Sequence, residues 1–384
     1  MIIDYDKYKR YRVDYVPVRH KRKDLMKTDV RISSTYRDKI DDIGQMDRTL
    51  KSYILSMQDY MELVQKAHSV NAHWSTKIEG NNLSLKEVEE SSRRIMNSKV
   101  IIKAEDPGPG QEILNHLYSY FMPRTFELPW SMDTVQEVHR SLMTRTGEDC
   151  TPGKIRENGE EVHVTDKEGQ ELFIGCPSIH VEAEMEQLLD WIDSSPFDRI
   201  ITAIVFFHEF ESIHPFIEGN GRTGRSLFHI LMQELRYRNF NLCRLEDKLL
   251  GDSSVYYSLM RYTDKTGDYT PLIEFFIDCI HAAYSEAVKE YGEKDALKDL
   301  DENSRLLAVR SREHKGWFSI QDASRWISSL GEQSIRMKLN ELVGIGILEK
   351  SGKTRSLVYR FNDPFRPIKK AMAEQEKIAK KDES

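Results

Sequence analysis

The sequence predicts a mainly α-helical chain: a helical bundle carrying one β-hairpin, with a winged helix-turn-helix module at its C-terminal end. Three observations point there. Apolar residues recur at helical spacing through most of the first 290 residues. Strict two-residue alternation occurs there at one pair of segments, 161–165 and 171–174. Beyond residue 301 both pattern and charge change. Asp301 to Ser384 holds 17 Lys/Arg against 12 Asp/Glu, a net of +5, in a chain whose overall charge is −7.

Composition narrows the function classes. With 384 residues, 39% hydrophobic and 31% charged, the chain is long enough for two or three compact units. No apolar run approaches the roughly 20 residues that span a bilayer; Ala203–Phe207 stops at His208-Glu209. The N-terminus lacks the basic start and apolar stretch of a secretory signal, so a cytoplasmic protein with no membrane partner is expected. Cys150, Cys176, Cys243 and Cys279 form no CxxC pair, which argues against a zinc site or a disulfide framework. A net charge of −7 excludes a protein that coats nucleic acid along its whole length.

Residues 1–50 are charged and weakly periodic and read as an arm. From Tyr53 to about Ile78, Ile54, Met57, Met61, Val64, Ala67, Val70 and Trp74 share one helical face. Gly80-Asn81-Asn82 ends that helix, and Ser84 with Glu87 forms a capping box for the next, 84–97. Asp106-Pro-Gly-Pro-Gly110 is a break before helices at 111–121 and 131–145. The hairpin turns at Asp166–Gly169; two strands alone are marginal in water, so it must lean on helices. Helices resume at 181–194, 197–212, 222–237 and 270–291, and 291–303 is a charged linker. Then Ser319 caps a helix to about Ile327, and Glu332 to Val343 makes another. Segments 347–350 and 357–361 flank the turn Ser351–Thr354, the order of a winged helix, and a frayed tail follows.

Between two of these helices lies His214-Pro-Phe-Ile-Glu218-Gly-Asn-Gly-Arg222-Thr-Gly-Arg225. Gly219, Asn220 and Gly221 can turn successive N–H groups inward at a helix start, where the macrodipole also favours an anion: a phosphate cradle. Arg222 and Arg225, three apart, can grip phosphate oxygens with forked hydrogen bonds. Glu218 supplies a hard oxygen for Mg²⁺, and His214 can accept a proton near neutral pH. A glycine-rich turn alone is most often only a turn. Two arginines, a carboxylate and a histidine around Gly-Asn-Gly have no evident packing purpose. Gly219 to Ser226 also mimics GxxxxGK[ST] with Arg for Lys, but that loop follows a buried strand, whereas 200–213 has helical spacing.

These residues match HxFx[DE]GNGRxxR, and from about Asn71 to Tyr284 the chain resembles the Fic family (filamentation induced by cAMP), typically protein adenylyltransferases. The resemblance implies a Fic-type helical bundle in which the hairpin is a flap, with Val162, Val164 and Thr165 aligning a target segment by strand addition. It implies Mg-ATP as substrate: His214 as base for a Ser, Thr or Tyr hydroxyl of a target protein or of the chain itself, and Glu218 as the Mg²⁺ ligand. Gly219, Asn220, Gly221, Arg222, Thr223, Gly224 and Arg225 would then surround the phosphates. Tyr256 of the pair Tyr256-Tyr257 resembles a residue near the nucleotide, although packing explains those rings equally well. The implied domains are an N-terminal helical region, 1–105, with an inhibitory helix at about 53–79; a catalytic domain, 106–292; a winged helix, 301–363; and a tail, 364–384.

Ser75 and Glu79 lie four apart on one helical face, with the carboxylate at the C-terminal end, where it opposes the macrodipole. Spacing alone favours a solvated Glu. Ser75-Thr-Lys-Ile-Glu79-Gly80 also resembles the family's [ST]xxxE[GN] inhibitory segment, which implies that Glu79 pairs with Arg225 and blocks productive seating of the γ-phosphate.

In the C-terminal module, Arg336, Lys338, Lys350, Lys353 and Arg355 suit DNA phosphates through residues 319–361. Glu332 and Glu341 on the same helix favour instead an interaction or homodimerisation module. Beside AMP transfer, two alternatives stand: a Fic-type enzyme that removes AMP or uses another nucleotide, and a nucleotide-sensing DNA-binding regulator.

Overall fold

The computed structural model describes residues 3–11, 17–28, 30–98, 103–121, 126–165, 171–295, 298–314, 316–353, 356–363 and 366. Its helices are α1 (Ser34–Ser52), α2 (Met57–Lys77), α3 (Leu85–Asn97), α4 (Pro109–Phe121), α5 (Met132–Met143), α6 (Val181–Ser194), α7 (Arg199–Ile213), α8 (Asn220–Glu234), α9 (Glu246–Leu249), α10 (Ser253–Thr266), α11 (Thr270–Glu293), α12 (Glu302–Glu313), α13 (Ile320–Trp326) and α14 (Glu332–Gly344). The strands are β1 (Val18–Arg19), β2 (His163–Thr165), β3 (Glu171–Ile174), β4 (Leu348–Ser351) and β5 (Val358–Phe361). No helix is long and apolar enough to cross a membrane among the described residues.

The chain divides into two compact units, one of residues 1–47, 67–97 and 102–286, the other of 48–66, 98–101 and 287–384. The first is built around α7. Every residue from Ile200 to Ile213 except Glu211 is buried, as expected of a helix apolar all round and surrounded by others. Asp198 caps it by accepting from the Ile200 N–H at 2.9 Å. Phe207, Phe228, Phe240 and Phe276 meet beside it with tilted or edge-to-face rings, a favoured aromatic geometry. The capping box before α3 is present: the Ser84 N–H donates to Glu87 at 2.8 Å, and the Glu87 N–H to Ser84 Oγ at 3.4 Å.

Several elements differ from expectation. The first 50 residues are not simply an arm, because α1 lies there and β1 pairs in parallel with β3. The sheet order is therefore β1-β3-β2, and the hairpin leans on a third strand as well as on helices. Two residues are too short for alternation to show. What anchors this segment is polar: Lys23 pairs with Glu209 at 2.9 Å, and His20 bonds Glu184 at 2.6 Å and Ser212 at 2.9 Å. Helix α10 was not expected, and α8 begins at Asn220 rather than 222. The hairpin turn 166–169 lies outside the described residues. All four cysteines are free.

In the second unit, α13 carries the capping box Ser319/Asp322, and α14 and the antiparallel pair β4–β5 follow. An additional helix, α12, stands in front, inside the region next to the expected linker. Leu307, Phe318, Ile320, Ile335, Leu339, Leu342, Leu348 and Tyr359 close one core, which also takes in Ile54. Lys338 is turned onto its own unit, on Asp301 and Ser304. That removes one of the five cations offered to DNA. Arg355 and all of 364–384 except Arg366 lie outside the described residues.

Candidate active site

The loop begins where α7 ends. His214 takes the left-handed conformation, φ 56° and ψ 62°, uncommon for a residue with a Cβ, and its N–H closes α7 on the Phe210 carbonyl at 3.0 Å. Its carbonyl accepts from Arg156 Nε–H at 2.8 Å. The same guanidinium donates to the carbonyls of Glu160, Cys176 and Ile213. Arg156 is 4% exposed, so these charge-assisted bonds pin the start of the loop away from water. His214 Nδ1–H donates to the Glu211 carbonyl at 3.1 Å, which leaves Nε2 as the basic nitrogen. Burial pushes the imidazole down to about 4; the ring is neutral at pH 7.

The middle of the loop is clamped by Asn220. Its Oδ1 accepts from the Phe216 N–H at 2.9 Å and its Nδ2 donates to the Phe216 carbonyl at 2.8 Å. This corrects the expectation that the Asn220 side chain meets phosphate: its two polar atoms hold the loop instead. His139 on α5 adds a second brace. Gly153 N–H donates to its Nδ1 at 2.8 Å, so its Nε2–H donates to the Glu218 carbonyl at 3.0 Å, while its ring stacks on Phe216 at 3.7 Å.

Three glycines bring the first turns of α8 close to other groups. Gly219 has φ 80° and would press any Cβ into Met143. A Cβ at 221 would collide with Glu79 Oε1 and lie 3.0 Å from Arg225 Nη1. At 224 it would collide with Glu211 Oε1 and lie 2.9 Å from Phe210. Gly224 thus makes room for a carboxylate rather than for a phosphate, and Thr223, 0% exposed, faces the core. Both depart from the phosphate-contacting roles expected for them.

The arginines are buried and occupied. Arg222 donates to Glu112 at 2.6 Å and, as a fork, to both oxygens of Glu148 at 2.5 Å. Asn81 Nδ2 donates to the other Glu112 oxygen at 2.6 Å. Arg225 Nε–H donates to Ser75 Oγ at 2.9 Å, and its Nη2 to the Ser75 carbonyl at 2.8 Å and to Glu79 Oε1 at 2.7 Å. Burial opposes the charge on Glu79, but attraction to Arg225 and their hydrogen bond outweigh it and hold the carboxyl below its ordinary value. The Glu79 carboxylate therefore lies over Gly221, against the N-terminal turn of α8, which no side chain caps.

Glu218 has no hydrogen-bond partner for its carboxylate among the described residues. Desolvation and then the charge of Glu148 raise its carboxyl above the ordinary value. Tyr256 is buried and Tyr257 is 41% exposed, their rings 5.2 Å apart; Arg225 is among the charges acting on both phenols. In the flap, β2 is the sheet edge. Val162 accepts from the Gly175 N–H at 3.1 Å, Val164 and Thr165 pair with Phe173 and Glu171, and Thr165 is exposed.

Comparison with known proteins bears on the same region. The model of the Fic/DOC family matches residues 129–232. Residues 129–232 are a Fic domain. A crystal structure of a Fic family protein from Desulfovibrio desulfuricans G20 superposes on 86% of this chain and 97% of that one, with a TM-score of 0.56 at 21% identity, which shows the shared mainly helical Fic fold. Protein adenylyltransferase Fic of Drosophila willistoni is 24% identical over 221 residues, 56% of this chain and 40% of the relative. Protein adenylyltransferase fic-1 of Caenorhabditis elegans is 24% identical over 184 residues, 44% of this chain and 32% of the relative. The chain thus spans about two fifths or less of the curated relatives it matches.

The Fic motif positions were legible, but Glu112, Glu148, His139 and Glu211, which hold the Fic loop or its arginines, were not singled out from the sequence. Glu211 alone left a local signal. It is a carboxylate in the last turn of an otherwise apolar helix, the anomaly that marked Glu79.

Proposed function

We propose that the chain is a protein adenylyltransferase: it transfers AMP from Mg-ATP to a Ser, Thr or Tyr hydroxyl of a protein, with Glu79 as a built-in brake. The observation that carries the reading is His214, neutral at pH 7, with Nδ1–H fixed on Glu211. It stands at the mouth of an uncapped helix start. A base so placed takes the proton of an attacking hydroxyl on Nε2 as the α-phosphorus is attacked and pyrophosphate leaves.

Arg222 and Arg225 would neutralise the phosphates after exchanging carboxylate partners for phosphate oxygens. Glu218, whose raised carboxyl faces a second anion in Glu148, fits a hard divalent cation. When bound there, Mg²⁺ would carry part of the triphosphate charge. The brake is supported by Glu79 lying on the α8 turn and on Arg225 together: one carboxylate covers both parts of the anion site. The edge strand β2 suits alignment of a target segment, with Val162, Val164 and Thr165 as the contacts. In this reading 106–292 is the catalytic domain and 301–363 a winged helix, a partner-binding module more than a DNA reader because Lys338 is engaged on Asp301.

Intact-mass analysis of wild type and Glu79→Gly after incubation with Mg-ATP and candidate targets tests the reading. A mass gain of one AMP on target or chain, greater for Glu79→Gly and absent for His214→Ala, is the expected result. No gain with either active form would overturn it.

A further inference from the structure

Two carboxylates, not one, flank Arg225. Glu79 lies against Gly221 and Glu211 against Gly224, positions three apart on α8 and so neighbours on one helix face. The two are not equivalent. Glu79 bonds the guanidinium at 2.7 Å with its carboxylate 31% exposed, whereas Glu211 projects from α7 and its Oε1 is buried with no hydrogen-bond partner. An unsatisfied carboxyl oxygen inside a protein is costly, and nothing in the core around Phe210 requires one. Its surroundings explain how it is tolerated. Burial pushes the Glu211 carboxyl up to about 8, against the pull of Arg225 and with help from the Glu79 charge. At pH 7 it is a neutral acid. The other titratable groups that act on it are the Tyr256 and Tyr257 phenols of α10, which burial keeps protonated.

We propose that Glu211 is a positioning residue for Arg225: when Glu79 withdraws, Glu211 takes over the pairing of the guanidinium from the core side and keeps it aimed at the phosphate site. The inference rests on the proposed AMP-transfer reading. One guanidinium compensates one carboxylate fully, so Glu211 holds its proton while Glu79 is seated and releases it once Glu79 is gone. A γ-phosphate arriving on Arg225 brings back the like charge, and Glu211 regains the proton. Nucleotide binding to the released protein is therefore coupled to proton uptake, and affinity falls as pH rises, by at most about tenfold per pH unit.

The test is the Kd of Mg-ATP, by calorimetry on the full chain, between pH 7.5 and 9, where the nucleotide is fully ionised. In Glu79→Gly the Kd should rise at least about fivefold across that range, less than the linkage maximum. In Glu79→Gly/Glu211→Gln it should stay within about twofold, and Glu79→Gly/Glu211→Met should behave likewise because only the ionisable oxygen matters. At saturating Mg-ATP the rate of AMP transfer should be similar in all three. The same slope with and without Glu211 would overturn the inference while leaving the functional reading intact. So would a loss of transfer on changing Glu211 with the slope unchanged, which would mark a purely structural role. A Glu79→Gly protein that neither binds Mg-ATP nor transfers AMP would bring down the functional reading itself, and this inference with it.

Discussion

Replacing Glu79 with glycine removes one of the three contacts that hold Arg225 and leaves the two to Ser75, at 2.9 and 2.8 Å, in place. The bond lost is charge-assisted, 2.7 Å long, on a guanidinium 4% exposed. Such a bond contributes about 2 kcal/mol, discounted little for solvent because the carboxylate is 31% exposed. If that energy holds the pair closed against the γ-phosphate, its removal should raise AMP transfer about 30-fold at sub-saturating Mg-ATP. The gain should shrink as nucleotide concentration rises, because the carboxylate and the phosphate compete for one arginine. Initial rates of labelled AMP incorporation at low and high Mg-ATP measure both effects. Arg225→Ala should be nearly inactive, and the double variant equally so, since the brake acts through the residue that has been removed. An unchanged or slower Glu79→Gly protein, or a double variant as fast as Glu79→Gly, would refute the mechanism.

Other outcomes follow from the same geometry. His214→Ala should lower AMP transfer at least about 100-fold while leaving the Kd of Mg-ATP within a few-fold, because the base is lost and the helix start is not. With the imidazole pushed down to about 4, the histidine stays basic at every pH above that value. The acid limb of kcat/KM in Glu79→Gly should therefore lie near 4 to 5, and a limb near 6.5 would contradict the burial of this ring. Asn220→Ala strips two hydrogen bonds from a residue 2% exposed, and should cost about 2 kcal/mol in urea unfolding together with most of the transfer activity; a stable, active variant would show that the clamp is dispensable. Gly224→Ala should destabilise the protein by about 1–3 kcal/mol through collision with Glu211 and Phe210, and Glu211→Ala in the same chain should restore part of it.

The parts legible in the sequence were those whose physics is local. Helix periods, the Ser84/Glu87 and Ser319/Asp322 caps and the motif from His214 to Arg225 all sit within a few residues of their own causes. What the structure added is held by distant partners. Glu148 is 74 positions from Arg222 and Glu112 is 110, so no spacing rule connects either carboxylate to the loop. Strand β1 has two residues, pairs with one 155 positions away, and depends on polar bonds of His20 and Lys23 that hydropathy does not register. Helices α1, α10 and α12 are rich in charged or polar side chains, which blurs their apolar stripe without weakening the packing of the few residues they bury. Asn220 and Gly224 were legible as important but not for the right reason. Composition marks an unusual position, and only the fold shows whether it faces a ligand or the chain itself.

The pairing of Arg222 with Glu112 and Glu148, and of Arg225 with Glu79, makes the nucleotide site an ion exchanger rather than a positively charged funnel. Three carboxylates already answer two arginines, so the site projects little field into solvent and does not draw a polyanion from a distance. Entry depends on one anion leaving as another arrives. The rate of nucleotide capture should then follow how often a carboxylate lets go, and lowering the ionic strength should quicken it far less than it would at an open basic cleft.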